Sequence, residues 1–93
     1  MKVDASKKSK KVNFSIETEP GSEVFVAGTF NDWNPTQYQL HESLNSGSYK
    51  TILPVPTGRH EYKFVVNGQW RLDPRCAAWQ PNDQGTLNSV LSV

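Results

Sequence analysis

Short runs of β-forming residues, separated by turn residues at intervals of about 8–12 positions, extend from Val12 to the end of the 93-residue chain. The runs are rich in Val, Ile, Thr, Phe and Tyr, and the turns are rich in Gly, Pro and Asn. No stretch shows a convincing helical period. About seven such strands predict an all-β fold, an antiparallel β-sandwich. We expect a single folded domain over residues 12–93, with Phe30, Tyr62 and Phe64 in its core.

The predicted strands differ in the strength of their signal. Residues 24–28 form a continuous apolar run that is typical of a central strand, whereas residues 37–40 are a weaker candidate. The other predicted strands lie at residues 12–16, 48–55, 59–66, 69–72 and 86–93. Residues 73–85 contain two prolines and are expected to form a long loop.

The charge is distributed unevenly along the chain. Residues 1–11 carry five lysines and one aspartate, a net charge of +4, and they have no apolar period, so we expect a disordered basic tail. The remaining residues carry five basic and eight acidic side chains, a net charge of −3. A mildly acidic body is a poor surface for a polyanion, which argues against a nucleic-acid partner.

Asn67-Gly68 is the strongest hairpin signal in the chain, because a type I′ turn needs a positive φ at both central residues. A two-residue turn there pairs Val65 with Trp70 and Lys63 with Leu72, and directly opposed residues share a face of the sheet. Lys63, Val65, Trp70 and Leu72 therefore lie on one face. Tyr62, Phe64 and Val66 lie on the other face and are the better core candidates. Gln69 and Arg71 then fall on the core side and must lie at the edge of the sheet, where an arginine head can reach water.

The last strand offers a second pair of polar side chains. Thr86 and Asn88 are two positions apart, so both project from the same face of that strand. A tryptophan supplies a large flat surface, and Thr, Asn and Lys supply directional donors and acceptors. This combination is suited to a neutral, polyhydroxylated ligand.

Four motifs, in this order, carry a resemblance to a known family. They are GTFNDWN at 28–34, GRHEYKF at 58–64, VNGQW at 66–70 followed by DP at 73–74, and GTLNSVL at 85–91. Together they resemble carbohydrate-binding module family 48, which includes the glycogen-binding domain of the AMP-activated protein kinase β-subunit. The resemblance covers about residues 12–93. It implies an immunoglobulin-like, early-set β-sandwich that binds α-1,4-glucan, such as glycogen or a starch-like polysaccharide, without catalysis.

The resemblance also implies which residues touch the sugar. In the kinase branch of that family, two tryptophans stack on glucose units, and a lysine and an asparagine hydrogen-bond to hydroxyl groups. By motif position these residues are Trp33, Trp70, Lys63 and Asn88, with Thr86 close by.

One position and one segment depart from the kinase pattern. The kinase modules have a leucine just before the Gly-Thr pair, where it can thread an open ring of sugars, and here that position is Gln84. We therefore expect chain binding rather than ring threading. Trp79 lies in the segment 75–83, which has no clear counterpart in the kinase form, and it is a further candidate for ligand contact.

Enzymatic and metal-dependent functions receive little support. His41, His60 and Cys76 have no metal-ligand spacing, so we expect no metal and no cofactor. A glycosidase needs two carboxylates across a cleft, and a sandwich of about 80 residues has little room for a deep one. We therefore predict a non-enzymatic protein.

One alternative stays open, namely a regulatory or protein-interaction module that keeps this fold and no longer binds sugar. Retention of Trp33, Lys63 and Trp70 favours sugar binding. The expected protein partner is a glycogen-metabolising enzyme or a kinase. The single Cys76 suits a reducing compartment, so we expect a cytoplasmic protein. The sequence has no run of about 18 apolar residues, so we expect no membrane contact. We also expect a monomer.

Overall fold

The structure, a computed structural model, describes residues 8–93. Within these residues the chain forms nine strands and one short 3₁₀ turn. The strands are β1 (Ser9–Glu17), β2 (Val24–Gly28), β3 (Tyr38–Gln39), β4 (His41–Glu42), β5 (Ser48–Pro56), β6 (Arg59–Val66), β7 (Gln69–Arg71), β8 (Trp79–Pro81) and β9 (Leu87–Ser92), and the 3₁₀ turn spans Thr29–Asn31. No helix in the described part of the chain is long and apolar enough to cross a membrane.

Two antiparallel sheets face each other. The smaller sheet has the order β1-β5-β4, and the larger one has the order β3-β2-β6-β9-β8, with β7 paired to β6. The chain passes from the larger to the smaller sheet at Leu40, which is buried and separates β3 from β4. The expected all-β antiparallel sandwich is confirmed.

The core lies between the sheets. The smaller sheet contributes alternate residues of β1 and β5, and the larger sheet contributes alternate residues of β2 and β6, as the period of two in a strand requires. The predicted core residues Tyr62 and Phe64 are buried, and Phe30 is partly buried against them. The largest fully buried side chains are Tyr49 and Phe64.

The sandwich has two strands that the sequence does not predict. β4 is two residues long, and β8 lies inside the segment 73–85 that was expected to be a loop. β8 ends on Pro81 at the edge of the larger sheet, a position where a proline does not remove a ladder hydrogen bond from a central strand. Both strands are too short to produce a recognisable alternation of apolar and polar residues in the sequence.

β1 begins earlier than expected. It starts at Ser9, and Ser9, Lys10 and Lys11 pair with residues 54–56 of β5, so the strand takes in three residues that the sequence assigns to the basic tail. Residues 1–7 of that predicted tail lie outside the described residues.

Candidate functional site

A cleft opens on the outer face of the larger sheet because two strands share one edge of β6. Tyr62 of β6 pairs with β9, whereas Phe64, only two residues further on, pairs with β7. Lys63 lies between these two pairings and projects from the face away from the core. The cleft has a volume of about 570 Å³ and is lined by Trp33, Lys63, Trp70, Asn82, Asp83, Gln84, Thr86 and Asn88.

The β6–β7 hairpin positions Trp70. Asn67 and Gly68 have φ angles of 51° and 82°, as a type I′ turn requires, and the register pairs Val65 with Trp70 as predicted. Trp70 projects from the outer face and is 46% exposed. Val65 lies on the same face and is nevertheless buried, which its position opposite the indole explains.

The segment after β2 positions Trp33. Gly28 is in close contact with β6, since a Cβ atom on Gly28 would lie 2.8 Å from Cβ of Tyr62. The Asn31 side chain accepts the N–H of Gly28 (3.0 Å) and donates to the carbonyl of Asn34 (3.2 Å), which ties the two ends of the turn together. Asp32 and Trp33 follow in the left-handed region, with φ angles of 55° and 58°. For a residue as bulky as Trp33 this backbone conformation is an outlier that costs about 1–3 kcal/mol.

The turn and the hairpin bring the two indoles together. The ring centroids of Trp33 and Trp70 are 6.3 Å apart and the ring planes are inclined by 57°. This separation is within the contact range of aromatic pairs. The two rings, called the tryptophan pair below, therefore form an angled apolar surface.

Polar side chains form the opposite wall of the cleft. Lys63 Nζ donates to Thr86 Oγ1 at 2.8 Å, and Asn82 Nδ2 donates to the same oxygen at 2.8 Å. Asn82 Nδ2 also donates to Asn88 Oδ1 at 2.9 Å. Lysine, threonine and asparagine from three separate segments are thus held in one hydrogen-bonded row.

A carboxylate supports this wall from outside the cleft. Glu61 accepts from Asn88 Nδ2 at 2.9 Å and forms an ion pair with Arg59 at 2.9 Å. The hydrogen bond from Asn88, assisted by Arg59, outweighs partial burial and holds the pKa of the Glu61 carboxyl below its ordinary value of 4.5. Glu61 is therefore ionised near neutral pH and acts only as an acceptor.

Six of the seven residues predicted for the site line the cleft together. These are Trp33, Lys63, Trp70, Gln84, Thr86 and Asn88. Trp79 does not join them: it is paired with Ser89, on the face of β8 and β9 opposite the one that carries Asn88, and it is 57% exposed. The face of the sheet on which Trp79 lies could be predicted only if β8 were recognised as a strand.

Asn82 and Asp83 line the cleft and are absent from the sequence-based set. Asn82 Oδ1 accepts the N–H groups of Gln84 (2.9 Å) and Thr86 (3.1 Å), which shapes the turn into β9. The signal for this turn is the succession Pro81, Asn82, Asp83 and Gly85, which is typical of a side-chain-stabilised turn. Within residues 8–93 no group of three or more His, Cys, Asp or Glu side chains could hold a metal ion.

Most of the chain matches a known protein family. Residues 11–93 match the family described as the glycogen recognition site of AMP-activated protein kinase. The chain is 40% identical over 79 residues to the human 5′-AMP-activated protein kinase subunit beta-2, covering 82% of this chain and 26% of that protein. It is 35% identical over 79 residues to subunit beta-1 of Sus scrofa, covering 82% of this chain and 58% of that protein. The chain thus spans only about a quarter of the length of the human beta-2 relative.

Proposed function

Since the chain belongs to the family of glycogen recognition sites of AMP-activated protein kinase, we propose that its cleft binds α-1,4-glucan, such as glycogen or a starch-like polysaccharide, without catalysing a reaction. The observation that carries this proposal is the tryptophan pair facing a wall of hydrogen-bonding side chains. An apolar surface beside a row of donors matches the two chemical faces of a glucose unit.

The shape of the tryptophan pair favours the α-1,4 linkage. An α-1,4-glucan curves from one glucose unit to the next, whereas a β-1,4-glucan is straight and flat. Two rings inclined by 57° can each stack on a successive unit of a curved chain, and a flat ribbon cannot contact both faces at once. The left-handed backbone of Trp33 supports a functional role for this residue, because strain of this kind is concentrated at functional sites.

The polar wall supplies the directional part of recognition. Lys63, Thr86 and Asn88 present hydrogen-bonding groups to a ligand that has many hydroxyl groups and no charge. Gln84 takes part in the same cleft and offers a polar amide, which suits a linear chain better than an apolar plug through a ring of sugars would. Asp83 adds an acceptor for sugar hydroxyls at the rim.

The wider biological setting is also a proposal. The relatives are subunits of a kinase, which supports a kinase or a glycogen-metabolising enzyme as the protein partner of this chain. A monomeric domain in the cytoplasm stays a prediction from the sequence. The domain would then bring its partner to the polysaccharide.

An NMR titration of the chain with maltoheptaose, cellohexaose and a short oligonucleotide tests the proposal. We expect maltoheptaose to shift the resonances of the cleft residues with a Kd of about 1 μM to 1 mM, a free energy of roughly −8 to −4 kcal/mol. Ordering a flexible ligand on an open cleft takes up part of the gross interaction energy. Equal shifts with cellohexaose would refute the preference for α-1,4 linkages. A folded chain that responds to neither glucan would favour the interaction module without sugar binding.

A further inference from the structure

Asn82 uses its complete hydrogen-bonding capacity inside the protein. A side-chain amide has two N–H donors and two acceptor sites on its oxygen. The two donors of Asn82 go to Thr86 Oγ1 and Asn88 Oδ1, and the two acceptor sites take the N–H groups of Gln84 and Thr86. Asn82 therefore lines the cleft without a free polar group for a ligand.

The orientation of the Asn88 amide is fixed by Asn82 on its oxygen side and by Glu61 on its NH₂ side. Backbone N–H groups can only donate, so they fix the oxygen of Asn82 toward the turn and its NH₂ group toward Asn88. Asn88 must then present its oxygen to Asn82 and its NH₂ group to Glu61, whose ionised carboxylate can only accept. Rotation of the Asn88 amide by 180° would break both contacts and set two pairs of like groups against each other.

The same hydrogen bonds determine which donors and acceptors of the cleft are free to bind a ligand. Thr86 Oγ1 accepts from Lys63 and from Asn82, so its own O–H is left to donate. Lys63 keeps two of its three N–H groups, and Asn88 keeps one N–H, among the contacts of the described residues. The three side chains that face the ligand therefore present donors. Ring and glycosidic oxygens of a glucan can only accept, so this polarity suits them.

We propose that Asn82 and Glu61 are positioning residues, which make no hydrogen bond to the sugar themselves and set the cleft so that Lys63, Thr86 and Asn88 present donors to the ligand. This inference rests on the proposed glucan binding and goes beyond it, because it assigns a role to two residues that do not hydrogen-bond to the ligand. Arg59 assists by holding Glu61 at the edge of β6, 2.9 Å from its carboxylate.

Two pairs of variants separate positioning from mere structural support. Asn82→Asp keeps the oxygen that shapes the turn, since aspartate forms the same turn, and it replaces the donor group by a second carboxylate oxygen. Asn82→Asp adds a negative charge whereas Glu61→Ala removes one, so an effect shared by both variants follows the hydrogen bonds and not the net charge. Glu61→Ala removes the acceptor of Asn88, and Glu61→Gln restores an acceptor without the charge. Glu17→Ala is the matched control, because it removes a carboxylate from the exposed ion pair with Arg75, a pair that does not line the cleft.

The expected results are specific to the direction of each hydrogen bond. In the free protein the side-chain amide resonances of Asn88 shift in Asn82→Asp and in Glu61→Ala, and they stay close to the parental position in Glu61→Gln and Glu17→Ala. Maltoheptaose binding weakens about tenfold in the first two variants, the loss expected for one misdirected hydrogen bond, and stays within about twofold in the other two. Melting temperatures stay within about 8 °C of the parental value.

The two ways of failing are distinguishable. If Asn82→Asp and Glu61→Ala fold and bind maltoheptaose with parental affinity, the positioning role is overturned while glucan binding stands. If the parental chain binds no maltoheptaose, the proposed function fails, and the Asn88 amide resonances of the free variants still decide whether the two residues orient the amide. Unchanged amide resonances in Glu61→Ala would refute the orientation by themselves.

Discussion

Replacing Trp70 by alanine separates a binding tryptophan from a structural one. Trp70 is 46% exposed, so about half of its surface is available to a ligand. A fully exposed tryptophan has on the order of 250 Å², which leaves roughly 115 Å² for a sugar to cover. At about 25 cal/mol per Å² this is an upper limit of about 3 kcal/mol. Because a stacked sugar covers mainly one ring face, we expect a loss of about 2 kcal/mol, a reduction in affinity of roughly 30-fold.

The same substitution should also lower the stability of the fold, because about half of Trp70 is buried. The buried part of Trp70 packs beside Val65 and against Trp33, and an aromatic pair contributes about 0.5–1.5 kcal/mol beyond its buried area. Truncating a core tryptophan costs about 3–5 kcal/mol instead. For a domain of this size, about 1 kcal/mol corresponds to a change of roughly 4–8 °C in melting temperature. The buried part of the ring, roughly 135 Å² at about 25 cal/mol per Å², adds an upper limit of about 3 kcal/mol. We therefore expect a folded variant with a lower melting temperature, and its affinity rather than its stability identifies a binding tryptophan.

The assay combines calorimetric titration with maltoheptaose and thermal unfolding of the same preparations. Trp79→Ala is the matched control, because Trp79 is similarly exposed and lies on the other face of the sheet, outside the cleft. We expect parental affinity for this control. A folded Trp70→Ala variant with parental affinity would refute the assignment of the cleft, and loss of binding in Trp79→Ala would move the site to the opposite face.

Two further predictions concern the supports of the cleft. Gly28→Ala forces β2 away from Tyr62 and should cost about 1–3 kcal/mol of stability, visible as a lower melting temperature; an unchanged value would contradict the close contact of the two strands. The pKa of Glu61 is lowered in the folded protein, so the ionised carboxylate stabilises the fold above about pH 4.5, and this stabilisation is lost as the pH falls through the pKa of the folded state. The difference in melting temperature between the parental chain and Glu61→Gln should therefore shrink below pH 4.5. A difference that stays constant down to pH 2 would contradict the contacts with Asn88 and Arg59.

The hairpin register could be predicted because it depends on local chemistry. Asn67 and Gly68 select a two-residue turn, and the period of two then assigns every side chain of β6 and β7 to a face. This reasoning alone predicts that Lys63 and Trp70 lie on one face, and the structure confirms the pairing of Val65 with Trp70. The buried state of Val65 was not predictable, since it depends on which side chains cover the outer face.

The remaining parts of the site depend on contacts between distant segments. The position of Trp33 follows from the close contact of Gly28 with β6 and from two left-handed residues in succession. Neither feature produces a periodic hydrophobic pattern that could be recognised in the sequence. β8 forms only because β9 offers a partner, and its pairing decides that Trp79 faces away from the cleft. The role of Asn82 likewise emerges only when the turn into β9 lies against Asn88 and Thr86.

The shared edge of β6 explains why a small sandwich can hold a cleft at all. β9 pairs with the first half of β6 and β7 pairs with the second half, so the chain must diverge on either side of Lys63. One wall is then carried by the hairpin and the other by the start of β9, and both are anchored on the same strand. Because the walls are held by backbone ladders and by the bonds of Asn82, the protein has little left to order when a ligand binds. For the proposed glucan ligand, the entropic cost of binding would then fall mainly on the flexible chain. Shortening that chain to the units proposed to stack on Trp33 and Trp70 should reduce the cost with little loss of contact.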